Sequence, residues 1–201
     1  MTGIIDYGAG NLHSVRNALS FLGADLKLCT SAADLAECDR LILPGVGAFG
    51  PAMAQLARCG LVEALRAFAA SGKPFLGICL GMQMLFDESM EFGIHAGLGL
   101  IPGRVIPIDA ETLPVPHMGW NALDVRFATP CLLAEDAGRY VYFVHSFRAD
   151  CADDFIAADS SYGEQIPALV ARGNVLGAQF HPEKSGTFGL SILKRFLAMQ
   201  P

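Results

Sequence analysis

No apolar run in this chain approaches the ~20 residues needed to cross a bilayer. The opening residues, Met1-Thr2-Gly3-Ile4-Ile5-Asp6, lack a basic stretch ahead of an apolar one. Neither a membrane span nor a secretory leader is expected. Basic clusters are missing too. Lys and Arg number 14 against 20 Asp and Glu, a formal net charge of −6, which argues against nucleic acid as a partner. The six cysteines, Cys29, Cys38, Cys59, Cys79, Cys131 and Cys151, form no Cys-x-x-Cys or other metal spacing. Free thiols in a reducing cytoplasm are the expectation, with no metal and no cofactor. Charged residues are only 17% against 52% hydrophobic, the reverse of a disordered composition. A chain of 201 residues can bury about 70% of its unfolded surface, so one domain over residues 1–201 is expected, needing no disulfide or metal staple.

What is present is a regular alternation. Gly3-Ile4-Ile5-Asp6 reads as a buried strand and Tyr7 to Asn11 as a Gly-rich turn. Leu12, Val15, Leu19 and Leu22 recur at helical spacing, with Gly23 placed to end the helix. Leu26 and Leu28 suggest a second strand, and Arg40-Leu41-Ile42-Leu43 a third, stopped by Pro44-Gly45-Val46-Gly47. Residues 51–70 read as helix, broken near Gly60. Pro74 to Ile78 is a strand and Leu80 to Phe86 a helix. Strands alternating with helices predict an α/β fold, an open and mostly parallel sheet with helices on both faces. From Phe92 to Phe127, Gly and Pro punctuate short apolar pieces, which predicts short strands and a mixed region. Tyr140 to Val144 and Asn174 to Phe180 are further strands. Phe188 to Met199 is a closing helix.

The densest chemistry lies in Gly77-Ile78-Cys79-Leu80-Gly81. A strand that turns sharply into a helix, with a nucleophile at the bend and small residues on each side, is a nucleophile elbow. The bend lies at a helix start, where backbone N–H groups favour a thiolate and can hold an oxyanion. A buried structural cysteine is the alternative, since free Cys is among the most buried residue types. A cysteine nucleophile also needs a base and a group to orient that base. Of the five histidines, His181 follows an apolar strand as Cys79 does, and Pro182-Glu183 comes directly after it. Strands of a parallel sheet present active residues at their carboxyl ends. Cys79 and His181 can therefore meet across 102 positions, with Glu183 accepting the other imidazole N–H. The turn Pro44-Gly45-Val46-Gly47 would share that edge, and its glycines allow close backbone approach.

Gly77-Ile78-Cys79-Leu80-Gly81-Met82-Gln83 together with Phe180-His181-Pro182-Glu183 resembles the class I (triad) glutamine amidotransferases. Five further segments match one branch of that family, the glutaminase subunits of imidazole glycerol phosphate synthase. They are Ile4 to Leu12, Leu43 to Phe49, Pro116 to Asn121, Tyr142 to Ser146 and His181 to Ser185. The resemblance implies Cys79 as nucleophile, His181 as general acid/base and Glu183 as its orienter. It implies an oxyanion held by the Leu80 N–H and an N–H of Gly45-Val46-Gly47, a segment that can sit flipped until a partner binds. Glutamine is expected near Gly47, Gln83 and Ser146. The implied partner, in a heterodimer, is a (β/α)₈ cyclase subunit that receives the ammonia and acts in histidine biosynthesis. Tyr7, Asn11, Asn121 and Lys184 are the candidate partner contacts, and Trp120 is expected as a packing anchor.

Two positions depart from the family pattern, Phe147 in place of tyrosine and Gly186 in place of glutamine. The alternatives are the glutaminase of another synthase, such as anthranilate synthase, a stand-alone cysteine hydrolase, and a non-enzymatic module. Lys184 and Pro116 to Asn121 argue against the first, and the intact Cys-His-Glu set against the last.

Overall fold

The computed structural model describes residues 1–8, 12–110 and 112–200. The first half follows the apolar pattern closely. Strand β1 (Thr2–Ile5) leads to helix α1 (Leu12–Phe21), then β2 (Leu26–Cys29), α2 (Ala32–Ala36) and β3 (Arg40–Gly45). Helices α3 (Phe49–Arg58) and α4 (Val62–Ala70) precede β4 (Phe75–Cys79) and the single turn α5 (Leu80–Gln83). The break between α3 and α4 falls at Gly60, whose φ of 67° suits a residue without a Cβ. The sequence pattern did not reveal α2. Its signal is local: Ser31 caps the helix and Asp34 reaches back to the Ser31 N–H, a capping box.

The second half is mostly strand. It comprises β5 (Phe86–Ser89), β6 (His95–Ala96), β7 (Ile101–Pro107), β8 (His117–Ala122) and β9 (Asp124–Val125). There follow β10 (Tyr140–His145), β11 (Phe147–Asp150), β12 (Ile156–Tyr162), β13 (Glu164–Arg172) and β14 (Val175–Ala178), closed by α6 (Gly186–Ala198). The main sheet has eight strands in the order β2-β1-β3-β4-β14-β13-β12-β9. Its first five run parallel and the last three join antiparallel. The sheet is therefore open and mixed. Beside it lie a ribbon of β8 and β10 and a small sheet β11-β7-β5-β6.

Side chains alternate across a strand, so Ile4 and Ile42 pack into one core cluster while Ile5, Leu41 and Leu43 pack into the other. Helices α3 and α4 cover the second face, α1 and α6 the first. Among the described residues no helix is long and apolar enough to cross a membrane.

The elbow helix differs from the reading Leu80 to Phe86. It ends after Gln83: the Leu85 N–H bonds to the Met82 carbonyl in a tightened last turn, and the backbone that follows is drawn to another segment. Met84, Leu85 and Phe86 accept backbone bonds from Leu98, Leu100, Ile101 and Gly99, and Phe86 then pairs in β5. Periodicity cannot detect that competition, because it comes from residues more than ten positions away.

Candidate active site

Cys79 ends β4 at φ 54°, ψ −111°. That is a left-handed backbone for a residue with a Cβ, a strain of order 1–3 kcal/mol that only a firmly packed bend sustains. The packing around it demands glycine. A Cβ on Gly77 would lie 2.5 Å from the Gly81 carbonyl oxygen, and one on Gly81 would lie 1.8 Å from that of Leu43. A Cβ on Gly45 would come within 2.9 Å of the Gly81 nitrogen. Three glycines thus let α5 press against the ends of β3 and β4.

β14 neighbours β4 in parallel, Ala178 pairing with Ile78, so the residues just beyond the two strands arrive at the same edge. His181 comes three residues after β14, with its N–H bonded to the Tyr142 carbonyl and its own carbonyl accepting from the Ser185 hydroxyl at 2.7 Å. Pro182–Lys184 form one 3₁₀ turn, which folds Glu183 back onto the imidazole. His181 Nδ1 lies 2.8 Å from Glu183 Oε1, and both side chains are 1% exposed. Burial alone would lower the His181 pKa. The Cys79 thiol and then the Glu183 carboxylate outweigh it and push it up to about 9. Among the described residues, the buried His181 Nε2 has no hydrogen-bond partner. The thiol itself is placed by two long contacts, donating to the Val144 carbonyl at 3.8 Å and facing Gln179 Nε2 at 3.9 Å.

A cavity of about 400 Å³ opens over the sulfur. Val46, Gly47, Leu80, Gln83, Ser146 and His181 all line it with Cys79. Gln83 is fixed there by its amide, which donates to the Phe147 carbonyl at 2.9 Å and to Gln179 Oε1 at 3.0 Å. Gly45 ends β3 one residue before Val46. The β3–β4 ladder runs to the pair Gly45↔Cys79, and at that parallel register the Gly45 carbonyl faces the Leu80 N–H. Such an arrangement puts an acceptor where an oxyanion would need a donor.

The candidate contact residues are not all at the surface. Tyr7, expected at a partner-facing edge, is 1% exposed, and its hydroxyl donates to the Pro44 carbonyl at 3.2 Å. Its apolar ring fills the space under the Pro44–Gly45 end, so it braces that strand. Asn11 lies outside the described residues. Asn121 is half-buried and its amide is committed to the Ser161 carbonyl at 2.9 Å. Lys184 is exposed, its ammonium 6.0 Å above the Tyr142 ring. Trp120, expected as a packing anchor, is instead 51% exposed, edge-on to Tyr142.

Sequence reasoning missed Glu91, an acidic side chain of the cavity wall. Its carboxylate accepts from the Phe49 N–H, the first residue of α3, at 2.5 Å, a favourable place for an anion. Nothing local marks it, because α3 and the segment after β5 meet only in the fold. Among the described residues no group of His, Cys, Asp and Glu side chains is arranged to hold a metal ion.

Residues 3–199 match the model of the glutamine amidotransferase class-I family. The imidazole glycerol phosphate synthase subunit HisH of Listeria monocytogenes is 50% identical over 195 residues, 96% of this chain and 93% of its own. Imidazole glycerol phosphate synthase hisHF, chloroplastic, of Arabidopsis thaliana is 52% identical over 96% of this chain, which spans 33% of that larger protein. Among solved structures, PurLQS from Thermotoga maritima superposes with a TM-score of 0.77 at 23% identity, covering 98% of this chain and 97% of the other, a likeness of fold. With a glycine-framed cysteine bend, a buried His–Glu pair and these matches along its length, the chain belongs to the class-I glutamine amidotransferases, in the branch of the imidazole glycerol phosphate synthase HisH subunits.

Proposed function

We propose that residues 1–201 act as one glutaminase domain, with Cys79, His181 and Glu183 hydrolysing glutamine to glutamate and ammonia. The ammonia passes to a cyclase subunit that makes imidazole glycerol phosphate and an aminoimidazole carboxamide ribotide in histidine biosynthesis. One observation carries the reading: a strained cysteine faces a cavity whose wall includes His181, itself paired with the buried Glu183. The Cys79 thiol passes its proton to His181 as its sulfur attacks the side-chain amide carbon and forms a C–S bond, while the oxygen becomes an oxyanion. Protonated His181, its charge supported by Glu183, delivers its proton to the nitrogen, the C–N bond breaks and ammonia leaves. Water then attacks the thioester with His181 as base, releasing glutamate and the thiol. The Leu80 and Val46 N–H groups are the oxyanion donors. For Val46 to donate, the Gly45–Val46 peptide has to turn over, and Gly47 at φ 95° supplies the backbone freedom.

A partner is the natural trigger for that turn. Met118, Trp120 and Tyr140 are 60%, 51% and 60% exposed and share one face of the β8–β10 ribbon with Val144, which lines the cavity. An apolar face beside an ammonia-releasing cavity suits a docking subunit, a (β/α)₈ barrel in this reading, forming a heterodimer. The proposed setting is the cytoplasm, in keeping with six free cysteines.

The test is glutamine hydrolysis by the chain alone, with the cyclase subunit, and with that subunit plus its ribulosyl nucleotide. Activity should be weak alone and rise at each step. Cys79→Ala should abolish glutamine-dependent synthesis and leave ammonia-dependent synthesis by the complex intact. Full activity without the partner, or loss of both syntheses in the variant, overturns the division of labour.

A further inference from the structure

An unbroken set of buried polar contacts runs from the β8–β10 ribbon to Cys79, and the proposed mechanism leaves it without a role. Its fixed point is the Phe147 carbonyl, which can only accept. It accepts from Gln83 Nε2 at 2.9 Å and lies 2.8 Å from His145 Nδ1, so the His145 proton sits on Nδ1. His145 Nε2 is then an acceptor, and His117 Nδ1, 3.1 Å away, is its donor. On the other arm the second Gln83 N–H goes to Gln179 Oε1 at 3.0 Å. That engages the oxygen of Gln179 and turns its nitrogen to the opposite side, 3.9 Å from Cys79 Sγ. His117 and Gln179 are wholly buried, Gln83 and His145 nearly so. A flipped Gln179 would set two buried acceptors, or two buried donors, against each other, which buried polar groups do not tolerate.

We infer that Gln179 is a positioning residue for the reacting sulfur: its amide donates to Cys79 Sγ in an orientation fixed by Gln83 and, through it, by the Phe147 carbonyl. The inference rests on the reading of Cys79 as nucleophile. When the thiol loses its proton, the Val144 carbonyl loses its donor and faces a negative charge. The Gln179 N–H then gains strength, because hydrogen bonds to charged groups are the stronger ones. Gln179 thus favours the thiolate over the thiol and keeps the sulfur aimed into the cavity.

The experiment is the pH dependence of Cys79 alkylation by iodoacetamide in the full chain. The other titratable groups around the sulfur are Tyr7 at the end of β1, His181 with Glu183 beyond β14, His145 in β10 and Glu91 in the cavity wall. All of them remain in the variants. Gln179→Met should slow alkylation near neutral pH by about three- to tenfold, less than a well-formed bond to a charged atom because the contact is long. It should also move the midpoint to higher pH, with rates converging in alkali. Gln179→Glu keeps an acceptor for Gln83 and loses the donor to sulfur, so it should shift the profile at least as far. In the wild-type chain, the Gln179 side-chain amide resonance should move as Cys79 ionises. Superimposable profiles in a folded variant, or an amide resonance indifferent to Cys79, overturn the inference. Separately, wild-type alkylation that leaves glutamine hydrolysis intact would remove Cys79 as nucleophile.

Discussion

Gly81→Ala is the sharpest perturbation of the elbow. The added Cβ would sit 1.8 Å from the Leu43 carbonyl oxygen and 2.8 Å from its carbon, whereas real contacts of this kind stay above 3.0 Å. The obstacle is backbone, so no side chain can swing aside. Either α5 or the end of β3 must retreat by about 1.2 Å. β3 is held on both sides, by β1 and by β4, and α5 is wedged between β3, β4 and β14. Overpacking of this kind costs about 1–3 kcal/mol, or more where strands must shift. In a chain of this size that lowers the unfolding midpoint by roughly 2–4 °C per kcal/mol. The Cys79 sulfur moves with α5, and a misplacement of about 1 Å at a reacting atom costs on the order of 10²-fold in rate. Thermal unfolding and glutamine hydrolysis in the complex measure the two effects on one sample. The combination that refutes the reasoning is an unfolding midpoint and a turnover both equal to wild type, which would mean that the bend accommodates a methyl group freely.

The site itself supports two more expected outcomes. His181 has a folded pKa raised to about 9 from 6.5, so its contribution to stability is fully present below about pH 6.5 and lost as the pH rises through 9. Urea unfolding of the wild type should weaken across that window, and Glu183→Gln, which removes one of the groups holding the proton, should flatten the dependence; equal slopes would detach Glu183 from the imidazole. Glu91→Gln removes the carboxylate from the cavity wall, so KM for glutamine should rise about tenfold or more through loss of a charged partner for the substrate amine, with kcat little changed. An unchanged KM would leave Glu91 as a cap for α3 alone.

The alternation of apolar runs with glycine and proline was enough to read the parallel half of the sheet, the break at Gly60 and the strand carrying Cys79. It was also enough to pick out Cys79, His181 and Glu183 as the residues to watch, because strand ends and glycine frames are short-range features. Four things were not legible there, and each depends on groups distant in the chain. The backbone after the short elbow helix is drawn off by bonds from residues 98–101. Tyr7 is buried because the Pro44–Gly45 end lies over it. Glu91 reaches the cavity because the segment after β5 crosses the start of α3. Gln179 turns its nitrogen to Cys79 because a carbonyl 32 positions earlier fixes Gln83. Residue order alone settles which side chains could do chemistry and on which elements they ride, since periodicity and turn chemistry act over a few residues. Which of them face the sulfur, and with which atom, is settled only once the chain has folded, since hydrogen-bond direction in a buried network is set by partners that sequence spacing does not bring together.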